Sequence, residues 1–372
     1  MFSTSQFRVF PANPTDRLLS RPRRLLQEGR LAESEAMYRE LLASHPGLAP
    51  AHFEYFTLLR LAGRHEEALR LAEQAASRPG MAAMSLALKG AALVEMGRYR
   101  EGLQALDEAA SLEPDLSLVW HETGYAAWRV GELSRALMAL DRAFALEPHG
   151  ATLLLRGRVL RQAGRYLAAE VSFEGALQAA EFAPQREEAE REIRTTRRHA
   201  AFLNSKPDRL SPARRWFAET GAVPLSGNLG PPPGEAELAS ALAQLTTELE
   251  WEFDLLVALD GWTGWYDLAG RLDLPVASEV PTNPEVTPLI AIRRTGAGAA
   301  WSSASRQVAE SRRGLTFALH QDPAAPAADV CGDLDATAMG AVDLAFATEA
   351  SLHPEGRLHD RTLRPARSVS PS

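Results

Sequence analysis

Through the first half of the chain, apolar and small residues recur at helical spacing in blocks closed by one repeated phrase: EGRLAES, AGRHEEA, MGRYREG, VGELSRA and AGRYLAA. The glycines of these phrases, Gly29, Gly63, Gly97, Gly131 and Gly164, stand 34, 34, 34 and 33 residues apart. A period near 34 predicts stacked helical hairpins, because one hairpin cannot bury its own apolar face and must pack on copies of itself. Each glycine is placed at the turn between two antiparallel helices, where a residue without Cβ closes the first helix in a left-handed conformation. Pro46, Pro79-Gly80, Pro114 and Pro148 end successive units, since proline cannot continue a helix. Seven residues before the turn lie Phe56, Gly90, Gly124 and Gly157, and five after it Ala68, Gly102, Ala136 and Ala169. These small pairs predict close approach within a hairpin. Tyr38, Leu106, Leu140 and Phe173, nine past the turn, are expected to fill space towards the next unit.

The pattern changes near residue 204. After a charged segment, QREEAEREIRTTRRHAAF from Gln185 to Phe202, that reads as a capping helix, helical periodicity stops and proline, glycine and serine dominate as far as PPPG at 231–234. Glu235 to Phe253 then predicts an amphipathic helix with Leu238, Leu242, Leu245 and Leu249 on one stripe. Short apolar runs follow at Leu255–Leu259, Leu274–Ala277, Leu289–Ile292 and Leu315–Leu319, with helices predicted at Trp265–Leu272 and around Ser303–Arg312. Apolar strands alternating with helices predict a small α/β domain with a mostly parallel sheet covered on both faces. The expected organisation is a flexible tail over 1–16, the array over 17–204, a linker-like segment over 205–234, the α/β domain over 235–353 and a disordered tail over 354–372.

From about Leu18 to Glu181 the repeat positions resemble the tetratricopeptide repeat (TPR) family, including Trp120 four residues before Gly124 and Tyr99 and Tyr166 two residues past their turns. The first repeat departs from the pattern, with Pro22 and Ser34 in place of the small pair. The resemblance implies an all-α superhelix of about five repeats whose concave face holds a peptide or partner protein. By register that face carries Phe53, Thr57 and Arg60, then Met84, Ala87, Ala91 and Val94, then His121, Tyr125, Trp128 and Arg129, then Leu154, Arg158 and Arg161. Phe53, Thr57, Arg60, Tyr125, Trp128, Arg129, Arg158 and Arg161 are the candidate groove residues, and their aromatics and arginines suit a partner with an apolar or acidic segment. Some members of the family clamp a chaperone tail with lysine and asparagine. Here Phe53, Thr57, Ala87 and Ala91 occupy those positions, which implies no chaperone-tail binding.

Charge sharpens the division. Acids and bases balance over residues 1–204, so the whole net charge of −8 lies beyond them. From Glu248 to Glu285, Arg271 is the only base among nine acids, a surface that repels phosphate backbones and argues against nucleic-acid binding. Cys331 is the only cysteine, which excludes an internal disulfide. No apolar run approaches the ~18 residues that span a bilayer, and the expected location is cytoplasmic, without membrane insertion.

No GxxxxGK[ST], strand-linked GxGxxG, GxSxG or HExxH motif occurs, and no metal-ligand spacing stands out. Neither a metal nor a cofactor is expected, and no catalytic residue is assigned. In an open α/β sheet, ligands collect beyond the carboxyl ends of the strands. Asp260, Gly261, Thr263 and Gly264 follow the first strand, and His320 and Asp322 follow the strand LTFAL. These six form a candidate small-ligand loop set, with His320 and Asp322 as an acid–base pair. The segment LLVALDGWTGWYDLAGRLDLPVAS is similar to the opening of phosphoribosyltransferase-like domains, with Arg293 and Arg294 where that family carries paired acids. The resemblance implies contact with phosphate but no carboxylate ligands for magnesium. The expected function is a protein-interaction scaffold. The alternative is an enzyme or small-ligand-binding protein whose α/β domain binds a phosphorylated or sugar-like molecule while the repeats recruit partners.

Overall fold

The computed structural model describes residues 16–201, 211–228, 231–296, 298–334, 341–359 and 361–363. By internal contacts the chain divides into Met1–Ile193 and Arg194–Ser372.

Among the described residues the first unit contains five helical hairpins, followed by the start of a further helix. They are α1 (Asp16–Gln27) with α2 (Leu31–Ser44), α3 (Ala49–Leu61) with α4 (His65–Ala75), α5 (Ala82–Glu95) with α6 (Tyr99–Leu112), α7 (Ser117–Arg129) with α8 (Leu133–Leu146), and α9 (Gly150–Gln162) with α10 (Tyr166–Gln178). All five turn glycines have positive φ, between 71° and 84°. At Gly131 the reason is visible: its N–H donates to Trp128 O and the N–H of Glu132 to Ala127 O, which closes α7 with the two bonds of a left-handed cap.

The small pairs do bring the helices together. A Cβ on Gly124 would lie 2.5 Å from the Leu140 side chain, and one on Gly157 2.5 Å from the Phe173 ring. Leu140 and Phe173 therefore press on the glycine of their own hairpin. In the first repeat a hydrogen bond replaces close packing, the Ser34 hydroxyl donating to Pro22 O at 2.8 Å. Beside it the buried carboxylate of Glu54 takes the Arg23 guanidinium and the Tyr38 hydroxyl. Residues of α11 (Ala183–Ala201) up to Ile193 close the array, Ile193 packing with Leu160, Ala169 and Phe173.

The second unit is built on six parallel strands, β1 (Val223–Pro224), β3 (Leu255–Ala258), β4 (Val276–Ala277), β5 (Pro288–Arg294), β6 (Leu315–Gln321) and β7 (Val330–Leu334), in the order β1-β7-β6-β5-β3-β4. A separate pair, β2 (Ser226–Asn228) and β8 (Ala341–Val342), is antiparallel. The remaining helices are α12 (Pro212–Thr220), α13 (Glu235–Glu248), α14 (Gly264–Leu272), α15 (Ala299–Ser311) and α16 (Leu344–Ser351). Leu256, Leu289, Ala291 and Phe317 pack with Leu238, Leu242 and Leu268 of α13 and α14, while Val257 and Ile290 pack with Ala304 and Val308 of α15. Both faces are thus covered. From β3 the chain steps to β4 on one side and then crosses back to β5 on the other, so the winding direction reverses between β3 and β5.

Three expectations need correction. The linker-like segment over 205–234 contains α12, β1 and β2, and Ala213, Phe217, Val223 and Leu225 are buried in the second core. The helix expected to reach Phe253 stops at Glu248, and Glu250 turns the chain with φ 52°. The tail expected from residue 354 includes Leu358 and Leu363, which are buried in the same core, and Arg361 donates to the buried Asp329 at 3.0 Å. The N-terminal tail up to residue 15 and residues 364–372 lie outside the described residues.

Candidate functional site

Two cavities contain sequence-expected residues, one in each unit. In the array, Phe53, Thr57 and Arg60 of α3 meet His121 and Glu122 of α7 and Thr152 of α9 around a space of about 150 Å³. The Arg60 guanidinium reaches Glu122 at 2.9 Å, past the intervening α5, and lies 3.7 Å from Glu95. Ala87 and Ala91 on α5 are buried at 0% and 1% exposure. Small residues beneath let the flanking helices' side chains meet above them. Met84 and Val94, expected on the groove face, are likewise buried. His121 Nδ1 and the Thr152 hydroxyl are 3.0 Å apart, and burial holds the imidazole below its ordinary pKa, in its neutral form.

The other groove candidates do not line this cavity. The Arg129 guanidinium lies 4.9 Å from the Tyr99 ring centre and donates to the Tyr125 hydroxyl at 2.9 Å. The Tyr125 and Trp128 rings are 6.0 Å apart, and the Trp128 indole N–H donates to Gln162. Arg158 donates to Glu192 at 2.7 Å and to Glu188 at 2.6 Å, and Arg161 to Glu192 at 2.6 Å. These two arginines, expected to meet an acidic partner, are paired with the capping helix instead. The spacing of Glu188 and Glu192 by one helical turn was the available signal.

In the second unit, a cleft of about 710 Å³ opens at the carboxyl ends of β3, β5 and β6. It is lined by Asp260, Gly261, Trp262 and Thr263 after β3, by Ile292, Arg293 and Arg294 at the end of β5, by His320 on β6, and by Glu235 at the start of α13. This is where the strand order reverses, and the loops after neighbouring strands diverge there.

Asp260 is an anchor. One oxygen accepts from the Trp262 N–H at 3.2 Å and the Trp265 indole at 2.7 Å, and the other from the Arg293 N–H at 2.6 Å. Its carboxylate ties the loop to the neighbouring strand. Gly264 begins α14 where any Cβ would collide with the Trp262 ring, which packs edge-on to Trp265 at 4.7 Å. Asp322 is not in the cleft: its N–H donates to Thr295, and its carboxylate accepts from the Ala324 N–H at 2.8 Å. The acid beside His320 is Glu235, whose Oε1 lies 3.3 Å from His320 Nε2 and accepts from Arg293 Nε at 2.6 Å. Burial alone would raise the Glu235 carboxyl, but the bonds from Arg293 and His320 hold it below its usual range.

Among the described residues no cluster of histidine, cysteine and carboxylate is arranged to hold a metal ion. Cys331 is buried, and burial pushes its thiol pKa up. No described helix is long and apolar enough to cross a membrane.

No family model matches the chain, and no curated protein matches it. Among solved structures, a thermophilic TPR protein of Thermus thermophilus is 18% identical with a TM-score of 0.43, over 48% of this chain and 98% of that one. PilF of Pseudomonas aeruginosa is 19% identical with a TM-score of 0.38, over 52% and 88% of the two chains. YrrB, described as a TPR protein with an unusual peptide-binding site, is 17% identical with a TM-score of 0.31, over 46% and 90%. These are likenesses of fold.

Proposed function

We propose that the protein is an interaction scaffold that captures a partner polypeptide on the concave face of its helical array, with one partner side chain seated between α3, α7 and α9. The cavity there carries the reading. Its volume of about 150 Å³ suits one branched or aromatic side chain, since an engineered apolar cavity of that size takes a benzene ring. Phe53 and Leu118 give it apolar wall, while Thr57 and Thr152 supply hydroxyls. Arg60 is matched by Glu122 and Glu95, and a further acid, Glu147, lines the cavity, so an entering side chain gains from burial rather than from charge. An apolar segment is therefore the first requirement on the partner. An acidic one finds its counterpart in Arg129, whose aromatic neighbours Tyr99 and Tyr125 are uncharged.

A peptide library displayed against the full chain tests this. Selected peptides should share one large apolar residue, and Ala151→Trp, at an exposed lining position, should abolish their binding with the helical signal intact. Phe53→Ala should weaken them at least about tenfold, as loss of a buried aromatic anchor does. Peptides that bind Ala151→Trp as well as the parent would place the contact elsewhere.

A further inference from the structure

We propose that the cleft at the carboxyl ends of β3, β5 and β6 binds a small organic phosphate, and that Glu235 is its internal competitor. Arg293 Nε and His320 Nε2 come from different strands yet converge on one oxygen of Glu235, at 2.6 and 3.3 Å. Two donors aimed at one point define an anion position, and a carboxylate of the chain occupies it. Nothing buries that carboxylate irreversibly. The side chains of Glu235, His320 and Arg293 are 24%, 24% and 56% exposed, so Glu235 can swing out and a solute anion can enter.

The charge favours phosphate over carboxylate. A carboxylate ligand would replace Glu235 like for like and gain no charge. With Glu235 displaced, Arg293 and Arg294 face a cleft whose other acid, Asp260, is turned into its own loop by three donors. Arg294 is the strand partner of His320, so both arginines and the imidazole border the same end of the sheet. A phosphate monoester, with about −1.5 to −2 charge and three acceptor oxygens, matches that set. The body of the ligand meets Ile292 and the Trp262 ring, which Trp265 supports from behind. A flat organic group fits against that wall, and about 710 Å³ leaves room for it within the usual range of small-ligand clefts.

Calorimetry on the full chain with phenyl phosphate, inorganic phosphate and phenol as probes tests the proposal. Phenyl phosphate should bind, inorganic phosphate more weakly, and phenol not at all. Arg293→Ala should weaken phenyl phosphate by at least about tenfold, the scale of a charge-assisted hydrogen bond. Trp262→Ala should bring it down to the level of inorganic phosphate. Glu235→Gln keeps the side chain's shape and should tighten binding several-fold, a sign opposite to every other substitution at the site. Weaker or unchanged binding by Glu235→Gln would overturn the competitor role. Equal binding of phenol and phenyl phosphate, or binding of no probe by either the parent or Glu235→Gln, would overturn the phosphate site. If Arg293→Ala fails to fold, Arg294→Gln carries the same expected loss.

Discussion

The same chemical pair, arginine with glutamate, occurs in both units, outside the cavity in the array and inside the cleft in the sheet unit, and has opposite consequences in them. In the array, Glu192 is 10% exposed in its side chain and takes Arg161, itself 15% exposed, together with Arg158. In the sheet unit, Arg293 is 56% exposed and Glu235 24%. Removing one partner of a buried pair leaves a charge without water or counter-ion, whereas an exposed pair contributes little because water replaces either partner. The first pair therefore belongs to the packing of α9 against α11, and the second is the latch proposed above. An arginine on a groove-facing helix does not identify a ligand anchor until its burial and its neighbours are known.

The largest test of this contrast is Glu192→Ala, which takes the carboxylate from the largely buried Arg161 while Arg158 keeps Glu188, and should cost about 3 kcal/mol in a denaturant melt of the helical signal. A cost below about 1 kcal/mol would mean that the two pairs are alike. Acid should expose the same difference. Arg161 and Arg158 outweigh burial and hold the Glu192 carboxyl below its usual value of 4.5. A depressed carboxyl contributes stability above its unfolded pKa and loses it as pH falls through the lower folded value. Glu192→Gln should therefore flatten the acid limb of the stability profile below about pH 4.5. A variant with the parent's acid limb would assign that limb to other carboxylates.

Next in size is Asp260→Ala, which leaves three donors without their acceptor and should cost about 1–3 kcal/mol while abolishing phenyl phosphate binding. Stability lost with binding retained would show that the loop holds its place without Asp260. Gly131→Val, where φ is 84° and nothing crowds the Cβ position, should cost about 1–3 kcal/mol from backbone strain alone. The smallest expected effect is that of Glu235→Gln, within about 1 kcal/mol of the parent. A larger loss would make Glu235 structural and remove the latch.

What was legible in the chain follows from how local its causes are. The turn at Gly131 needs only the residues around it, and the period repeats that cause five times, so hairpins, small pairs and capping helix could be read directly. The strands at Leu255, Leu289 and Leu315 declared themselves as apolar runs. Asp260 and His320, read from those carboxyl ends, line one cleft. Glu235 was missed because it is brought to His320 across 85 residues of chain, and no local pattern announces that meeting. The segment around Phe217 was hidden by its prolines and glycines, although Ala213 and Phe217 are four residues apart on one face and Gly221 ends their helix with φ 72°. Met84, Ala87, Ala91 and Val94 sat at groove positions by register. They are buried instead, and Arg60 of α3 reaches past them to Glu122 of α7, a property of three helices together.

The pairing of β1 with β7 also has a bearing on synthesis. Val223 aligns with Val330, so the edge strand leaves the ribosome long before its neighbour exists. The hairpins need no such delay, since each can dock on the one already made. A nascent chain of this protein thus carries a finished superhelix while its sheet still has an open side. In that interval Phe217, Val223 and Leu225, all buried in the finished protein, are the surface that a ribosome-bound chaperone would meet.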